Sequence, residues 1–209
     1  ICFINKLDKT GADFKRSYQS ILDRLTPNAI PIQLPIGIES DLNGVVDLLR
    51  NKAYAFEGDM GNDIKEIDIP EDMKAEVEEA RNTLIEKIAE QDEDLMNKFF
   101  EGEELTIDEL RAGLRKGVLS LAVIPVMCGS ALKNKGVQFV LDAVLDYLPS
   151  PVDVGAVTAT DVNDPEKKIE VEPTDDGPLA GLAFKVATDP YVGKLTFFRV
   201  YRGVLQKGS

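Results

Sequence analysis

Two short apolar runs, each followed by a polar loop and an amphipathic helical pattern, restrict this chain to an α/β fold. Residues 1–4 are consecutively apolar and rich in strand-forming side chains, and residues 122–127 repeat the pattern. Strands buried on both faces of a parallel sheet have this composition. The patterns at 13–25 and 137–148 place apolar residues three and four positions apart. We therefore expect parallel strands that alternate with helices.

The stretch between these two units mixes strand and helix patterns. Residues 30–38 form an alternating apolar run whose prolines favour an edge strand or an extended segment. The elements predicted after it are a short helix at 44–50, a strand at 52–57, a polar turn at 58–63, and three helices that begin after Pro70, near Leu95 and at the capping-box pair Thr106 and Glu109.

The negative charge of the chain is concentrated in those three helices. Residues 66–109 contain 17 acidic and 4 basic side chains, a difference equal to the net charge of −13 of all 209 residues. This acidity argues against a general nucleic-acid-binding surface. The acidic helices are interpreted either as a solvated face or as a docking surface for a basic partner.

Composition excludes several kinds of chemistry. The chain has no histidine, so no His-dependent triad or imidazole base exists within it. Cys2 and Cys128 lie in separate apolar runs and are expected to be reduced, buried thiols of a cytoplasmic protein. Residues 92–94 are acidic but do not follow a calcium-loop pattern, so no metal site is expected. No apolar run is long enough to cross a bilayer, and no membrane association is expected.

The end of the chain has the pattern of a β domain. Residues 152–177 are polar and are expected to be a linker or an edge hairpin. Residues 179–188 and 195–201 are strand-like and flank a turn at 189–193. Because both ends of the chain lie in or directly after strand-like runs, we expect a piece of a longer protein.

A tetrapeptide suited to guanine recognition comes directly after the first strand. Ligands bind at the carboxyl ends of strands in open α/β folds, and Asn5, Lys6 and Asp8 occupy that position. The Asp8 carboxylate can accept hydrogen bonds from the N1–H and 2-amino groups of guanine, which adenine does not offer in that arrangement. Asn5 can bond the imidazole side of the purine, and the Lys6 stem can cover its ring face. The alternative is a loop in which Asn5 and Asp8 only cap the next helix.

A second loop follows the strand at 122–127 and suits the opposite side of a purine. It contains Ser130, Ala131, Leu132 and Lys133, whose backbone N–H groups can reach the guanine O6. The two loops together favour specificity for guanine.

Both loops resemble the guanine-recognition motifs of translational GTPases. The matching residues are Asn-Lys-Leu-Asp at 5–8 and Ser-Ala-Leu-Lys-Asn-Lys-Gly-Val at 130–137. Residues 189–197, with Arg-Val-Tyr at 199–201, are similar to the opening of the β-barrel domain in the bacterial elongation factor G family. About 120 residues separate the two guanine motifs, and this gap resembles the inserted subdomain of that family.

The resemblance implies the C-terminal half of a P-loop-type GTPase domain with an inserted α+β subdomain, followed by the first strands of a β-barrel domain. The implied division gives residues 1–28 and 122–150 to the GTPase domain, residues 29–121 to the insert, and residues 151–209 to the linker and the start of the barrel. The implied guanine-binding residues are Asn5, Lys6, Asp8, Ser130, Ala131 and Leu132.

The resemblance also implies a role on the ribosome. Proteins of this family use GTP binding and hydrolysis to drive translocation of transfer RNA and messenger RNA. The insert is implied to meet the ribosomal stalk protein and the barrel to meet the small subunit. The alternative function is an acidic helical interaction module that binds no nucleotide.

The phosphate-binding half of a GTP site is not recognisable in these residues. No G-x-x-x-x-G-K-[ST] motif occurs, since Gly193-Lys194 is followed by Leu195 and lies in a predicted β-turn. We therefore expect no catalytic residue in this chain and no GTP hydrolysis, with Mg²⁺ bound only in the full-length parent. GTP or GDP is expected to bind in the millimolar range, about −4 kcal/mol.

Overall fold

The computed structural model describes residues 1–161 and 163–208, which form two compact units. The first unit, Ile1–Leu148, contains β1 (Cys2–Ile4), α1 (Phe14–Arg24), β2 (Ala29–Pro31), β3 (Gln33–Ile36), β4 (Gly44–Asp47), β5 (Lys52–Glu57), β6 (Asp63–Ile67), α2 (Lys74–Ala89), α3 (Glu93–Glu101), α4 (Ile107–Leu119), β7 (Ile124–Cys128) and α5 (Val137–Tyr147). The second unit begins at Pro149 and contains α6 (Pro151–Val154), β8 (Val157–Thr160), β9 (Lys168–Val171), β10 (Ala180–Asp189) and β11 (Gly193–Arg202).

The two apolar runs are neighbouring parallel strands, as predicted. Strand β7 lies between β1 and β2 in a three-stranded parallel sheet. Ile4 pairs with Cys128, so β1 and β7 end level with each other. Because parallel strands present their carboxyl ends at one edge of the sheet, the loops after β1 and β7 begin side by side. The α/β fold class is confirmed.

The run at 30–38 divides between two sheets. Strand β2 is an edge of the parallel sheet, and β3 is an edge of a four-stranded antiparallel sheet with the order β3-β4-β5-β6. Both edge positions accommodate prolines, which cannot donate to a sheet ladder. Residues 29–31 thus lie in the sheet of the implied GTPase half, although the sequence division placed them in the insert.

The short helix expected at 44–50 is wrong. Residues Gly44–Asp47 form strand β4, and a turn leads directly into β5. Val45 and Val46 are completely buried on consecutive positions, which suits β-branched side chains in a central strand. Strand β6 was not predicted, because most of its residues are exposed and charged and give no apolar alternation.

Helices α2, α3 and α4 form at the three predicted positions. The expected stripe on α2 is buried at Val77, Leu84 and Ile88. Thr106 and Glu109 form the predicted capping box at the start of α4. Asp92 caps α3 by accepting hydrogen bonds from two backbone N–H groups and pairs with Lys116 at 2.8 Å. Among the described residues, no group of three or more acidic, Cys or His side chains is arranged to hold a metal ion.

The second unit contains two antiparallel hairpins. Strands β10 and β11 pair around the turn at 189–193, as predicted, and Asp189 accepts hydrogen bonds from the Tyr191 and Val192 N–H groups in that turn. Within the polar segment 152–177, β8 pairs with β9 in a two-stranded sheet of their own, so a hairpin forms there. No helix of the described residues has the length and apolar character needed to cross a membrane.

Candidate functional site

Two loops meet at the carboxyl ends of β1 and β7. The first loop (residues 5–11) follows β1, and the second loop (residues 130–135) follows β7. The Leu7 N–H donates to the Gly129 carbonyl at 3.1 Å, and the Gly129 N–H donates to the Ile4 carbonyl at 3.1 Å. The parallel pairing of the strands therefore continues into the loops and fixes them side by side.

Asn5 ties the two loops together. Its Oδ1 atom accepts hydrogen bonds from the backbone N–H groups of Lys6, at 2.8 Å, and of Ala131, at 2.9 Å. Both donors are backbone N–H groups, so the amide orientation is decided by the hydrogen-bond network and the oxygen must face the second loop. The Asn5 Nδ2 group is consequently the part of the side chain left to donate to a ligand.

Asp8 carries a buried carboxylate oxygen that lacks a donor. Its side chain is 10% exposed, and its Oδ1 atom forms no hydrogen bond within the described part of the chain. The other oxygen, Oδ2, lies 3.5 Å from the Lys9 ammonium. A buried carboxylate oxygen without a partner is costly, and such atoms in folded proteins require an explanation. The Asp8 carboxylate therefore keeps one accepting oxygen that no group of the described residues satisfies.

The Asp8 carboxylate remains ionised because its surroundings favour the charged form. The nearby Ser130 hydroxyl lowers the pKa of Asp8 most strongly. Burial opposes this effect and raises the pKa, while the backbone N–H of Asp8 and the Lys9 ammonium lower it further. The Ser130 Oγ atom is buried and its approach to Asp8 does not complete a hydrogen bond. Two polar groups, one from each loop, are thus held together and incompletely satisfied.

The backbone of the second loop is mostly engaged in the loop itself. The Ser130 N–H donates to the Lys135 carbonyl at 2.9 Å, and the Lys135 N–H donates back at 3.0 Å. Because the Ala131 N–H donates to Asn5, two of the amides expected to face a guanine O6 are occupied. The Leu132 N–H has no acceptor within the described residues, and the Leu132 side chain is 67% exposed.

Lys6 occupies a special backbone position in the first loop. Its φ of 62° is in the left-handed region, and its N–H is held by the Asn5 side chain. The residue is exposed, so its long stem is free to lie over a flat ligand. Of the six predicted residues, Asn5, Asp8, Ser130 and Ala131 lie in direct proximity, while Lys6 and Leu132 present exposed side chains from the same two loops.

The structure excludes the helix-cap interpretation of the first loop. Helix α1 begins after Asp13, whose side chain accepts a hydrogen bond from the Arg16 N–H at 2.9 Å. Asn5 and Asp8 lie well before this cap and make different contacts. Their side chains therefore have another role than helix capping.

Residues that the sequence did not indicate brace both loops from the segment that the sequence division assigns to an insert (residues 29–121, called the insert below). Glu39 accepts a hydrogen bond from the Gly11 N–H at 2.7 Å, and Asn62 accepts one from the Asn134 side chain at 3.1 Å. The pairs are separated by 28 and 72 positions, and no local pattern marks them. The residue types alone carried no signal that would have found these contacts.

The family is decided by the first 150 residues. Residues 1–150 match the family described as the elongation factor Tu GTP binding domain. The chain belongs to this family. Membership in a guanine-nucleotide-binding family of translation factors agrees with the incompletely satisfied polar groups of Asp8 and Ser130 in the two loops.

A solved structure extends the similarity beyond the matched domain. The chain is similar to a crystal structure from Thermus thermophilus, with 29% sequence identity and a TM-score of 0.74. The match covers 99% of this chain and 28% of the Thermus chain. This chain therefore corresponds to little more than a quarter of the Thermus chain, and the similarity includes residues of the second unit.

Proposed function

We propose that this chain carries the guanine-recognising half of the GTP site of a translation GTPase. The observation that supports the proposal most directly is the buried Asp8 Oδ1 atom, which has no donor within the described residues. Guanine offers two adjacent donors, N1–H and the 2-amino group, and a carboxylate accepts both. Adenine offers an acceptor at N1 and no amino group at C2, so the same carboxylate discriminates against it.

The remaining loop residues surround the base in this proposal. The Asn5 Nδ2 group donates on the imidazole side of the purine, while its oxygen holds the second loop. The Lys6 stem covers one ring face. The Leu132 N–H donates to the guanine O6, and Ser130 and Ala131 shape the loop that presents it. A bound guanine nucleotide would thus supply the hydrogen bonds that Asp8 lacks.

The phosphates and Mg²⁺ are not held by a recognisable motif of these residues. The 209 residues contain no G-x-x-x-x-G-K-[ST] sequence. We propose that the phosphate loop and the Mg²⁺ site belong to other parts of the full-length protein, where GTP hydrolysis takes place. The chain by itself then binds GDP through base contacts, in the millimolar range, about −4 kcal/mol.

We further propose that the full-length protein is elongation factor G, a cytoplasmic translocation factor of the ribosome. This assignment rests on the residues at 189–197 and on the long separation of the two guanine motifs, both of which resemble that family. The acidic insert is proposed to bind the ribosomal stalk protein. The strands after residue 151 are proposed to open the barrel that meets the small subunit.

The experiment that tests guanine recognition is a parallel NMR titration of the labelled chain with GDP and ADP. We expect saturable shifts at Asp8 and Ala131 with GDP only. Asp8→Asn should abolish the shifts with GDP, because an amide cannot accept both guanine donors. Asp23→Asn, which makes the same change on the exposed face of α1, is the matched control and should leave them unchanged.

A gain of binding separates a lost contact from a damaged fold. Xanthine carries an oxygen at C2 where guanine carries the amino group, so the amide that Asp8→Asn introduces offers a donor to that oxygen. We expect Asp8→Asn to show shifts with xanthosine diphosphate and the wild-type chain to show fewer. If the wild-type chain responds equally to GDP and ADP, or to neither, guanine recognition by these loops is refuted.

A further inference from the structure

We propose that the insert (residues 29–121) sets guanine affinity by positioning both loops of the site, with Glu39 and Asn62 as positioning residues. The inference rests on the proposed guanine site and adds a regulatory role for a part of the chain that does not touch the base. It is supported by two independent contacts between the insert and the loops, and by the concentration of residues with positive φ near those contacts.

The first contact fixes the end of the first loop. Glu39 Oε1 accepts the Gly11 N–H at 2.7 Å, and the Arg16 Nη2 group donates to the Gly11 carbonyl at 2.8 Å. Both backbone polar groups of Gly11 are therefore held, three positions after Asp8. Hydrogen bonds to a charged group are stronger than those between neutral groups, so the Glu39 carboxylate restrains the end of this loop effectively.

The second contact fixes the second loop. The Asn134 side chain donates to Asn62 Oδ1 at 3.1 Å, and the Lys135 ammonium donates to the Leu42 carbonyl at 2.5 Å. Gly61 lies against the same loop, since a Cβ atom there would be 3.1 Å from the Lys133 carbonyl oxygen. The β5–β6 turn of the insert thus packs directly on the loop that presents the Leu132 N–H.

Backbone strain accumulates at these contacts. Six non-glycine residues of the described chain have positive φ, and four of them are Lys6 (62°), Glu39 (50°), Met60 (62°) and Asn134 (53°). These four lie in the two loops or in the insert segments beside them. Such conformations persist where the surroundings enforce them, and they concentrate at sites whose geometry matters for function.

The consequence is that the insert and the guanine site are thermodynamically linked. A movement of the insert changes the positions of Gly11 and Asn134, and with them the spacing of the two loops. By reciprocity, a ligand that changes nucleotide affinity through the insert has its own affinity changed by nucleotide to the same degree. The insert would then report the state of the base pocket to whatever binds it.

The test uses single and double variants of the 209-residue chain. Glu39→Ala and Asn62→Ala each remove the insert side chain that accepts a hydrogen bond from one loop, and both leave the loops unchanged in sequence. We expect each to raise the Kd for GDP about three- to tenfold, the range of one lost hydrogen bond, and the double variant to raise it further. Glu39→Gln retains the accepting oxygen and should restore most of the affinity.

Matched controls are available on the same insert. Asp41→Ala removes a carboxylate from the turn that holds Glu39, and Asn82→Ala removes an amide from the exposed face of α2. Both should leave the Kd for GDP within about twofold of wild type. Amide exchange at Gly11, measured without nucleotide, should accelerate in Glu39→Ala and not in Asp41→Ala.

The outcomes distinguish this inference from the proposed function. If the wild-type chain binds GDP, Gly11 exchange accelerates in Glu39→Ala and the Kd does not change, positioning by the insert is overturned and guanine recognition stands. If the wild-type chain shows no preference for GDP over ADP, both guanine recognition and positioning by the insert are overturned. A Kd that rises equally in the variants and their controls indicates a general loss of stability and also overturns the inference.

Discussion

Asn5 Oδ1 accepts a hydrogen bond from the Ala131 N–H at 2.9 Å, across 126 positions of the sequence. The same oxygen accepts the Lys6 N–H at 2.8 Å. One short side chain therefore holds the ends of two neighbouring parallel strands in a fixed relation. The candidate guanine site depends on this tie, because its two halves come from distant parts of the chain.

We predict that Asn5→Ala lowers the free energy of unfolding by about 1 kcal/mol, because the Lys6 and Ala131 N–H groups lose their acceptor. Asn5→Asp retains an accepting oxygen and should lose less stability. It also lacks the amide donor, so it should bind GDP more weakly than wild type. Urea unfolding and the GDP titration measure the two effects. If Asn5→Ala and the wild type have equal free energies of unfolding, the hydrogen bonds of Asn5 do not stabilise the two loops.

Gly136 permits the second loop to close in front of α5. Its φ is 86°, and a Cβ atom there would lie 2.7 Å from the Cys128 carbonyl oxygen. We expect Gly136→Ala to destabilise the chain by more than about 1 kcal/mol, since strain and a backbone clash add. Gly102, with a φ of 73° and open space around it, is the control in which only the strain applies. Thermal unfolding of both variants should show the larger loss at residue 136.

Glu109 makes stability depend on pH at the start of α4. The Lys98 ammonium, followed by the Thr106 N–H and hydroxyl groups, lowers the pKa of Glu109 from 4.5 to about 2. A lowered folded-state pKa means that the stabilisation is complete above pH 4.5 and is lost as the pH falls towards 2. We expect Glu109→Gln to have a smaller loss of stability over this window. A carboxyl NMR titration of Glu109 with a midpoint near the ordinary value of 4.5 would refute the prediction.

Gly113 lies in the middle of α4, where alanine is intrinsically favoured by about 1 kcal/mol. A Cβ atom at this position would lie 2.7 Å from both Ile88 Cγ2 and Leu95 Cδ1. We predict that Gly113→Ala destabilises the chain, because overpacking typically costs about 1–3 kcal/mol and exceeds the helical gain. Differential scanning calorimetry decides the sign. A higher unfolding temperature for the variant would show that Ile88 and Leu95 shift to accommodate the methyl group with little loss of stability.

Elements with a strong local pattern could be predicted from the sequence. The sequence predicts helix α1, the capping box at Thr106 and the β10–β11 turn because apolar spacing, caps and turn residues act within a few positions. The sequence predicts a helix at strand β4, because its two adjacent buried valines give no alternation of apolar and polar residues. On α5, the apolar spacing does not match the burial, because Leu141 is 61% exposed while Ala143 and Tyr147 are buried.

The sequence by itself determined the chemistry of the two loops, because the carboxylate of Asp8, the amide of Asn5 and the small residues at 130–131 are properties of single positions. It also determined that both loops follow buried strands. Only the tertiary structure decided that the Asn5 oxygen binds the Ala131 N–H, that Asp8 retains a buried oxygen without a donor among the described residues, and that Glu39 holds Gly11. These relations join residues far apart in the chain, and they depend on strand pairing and packing that no local pattern encodes.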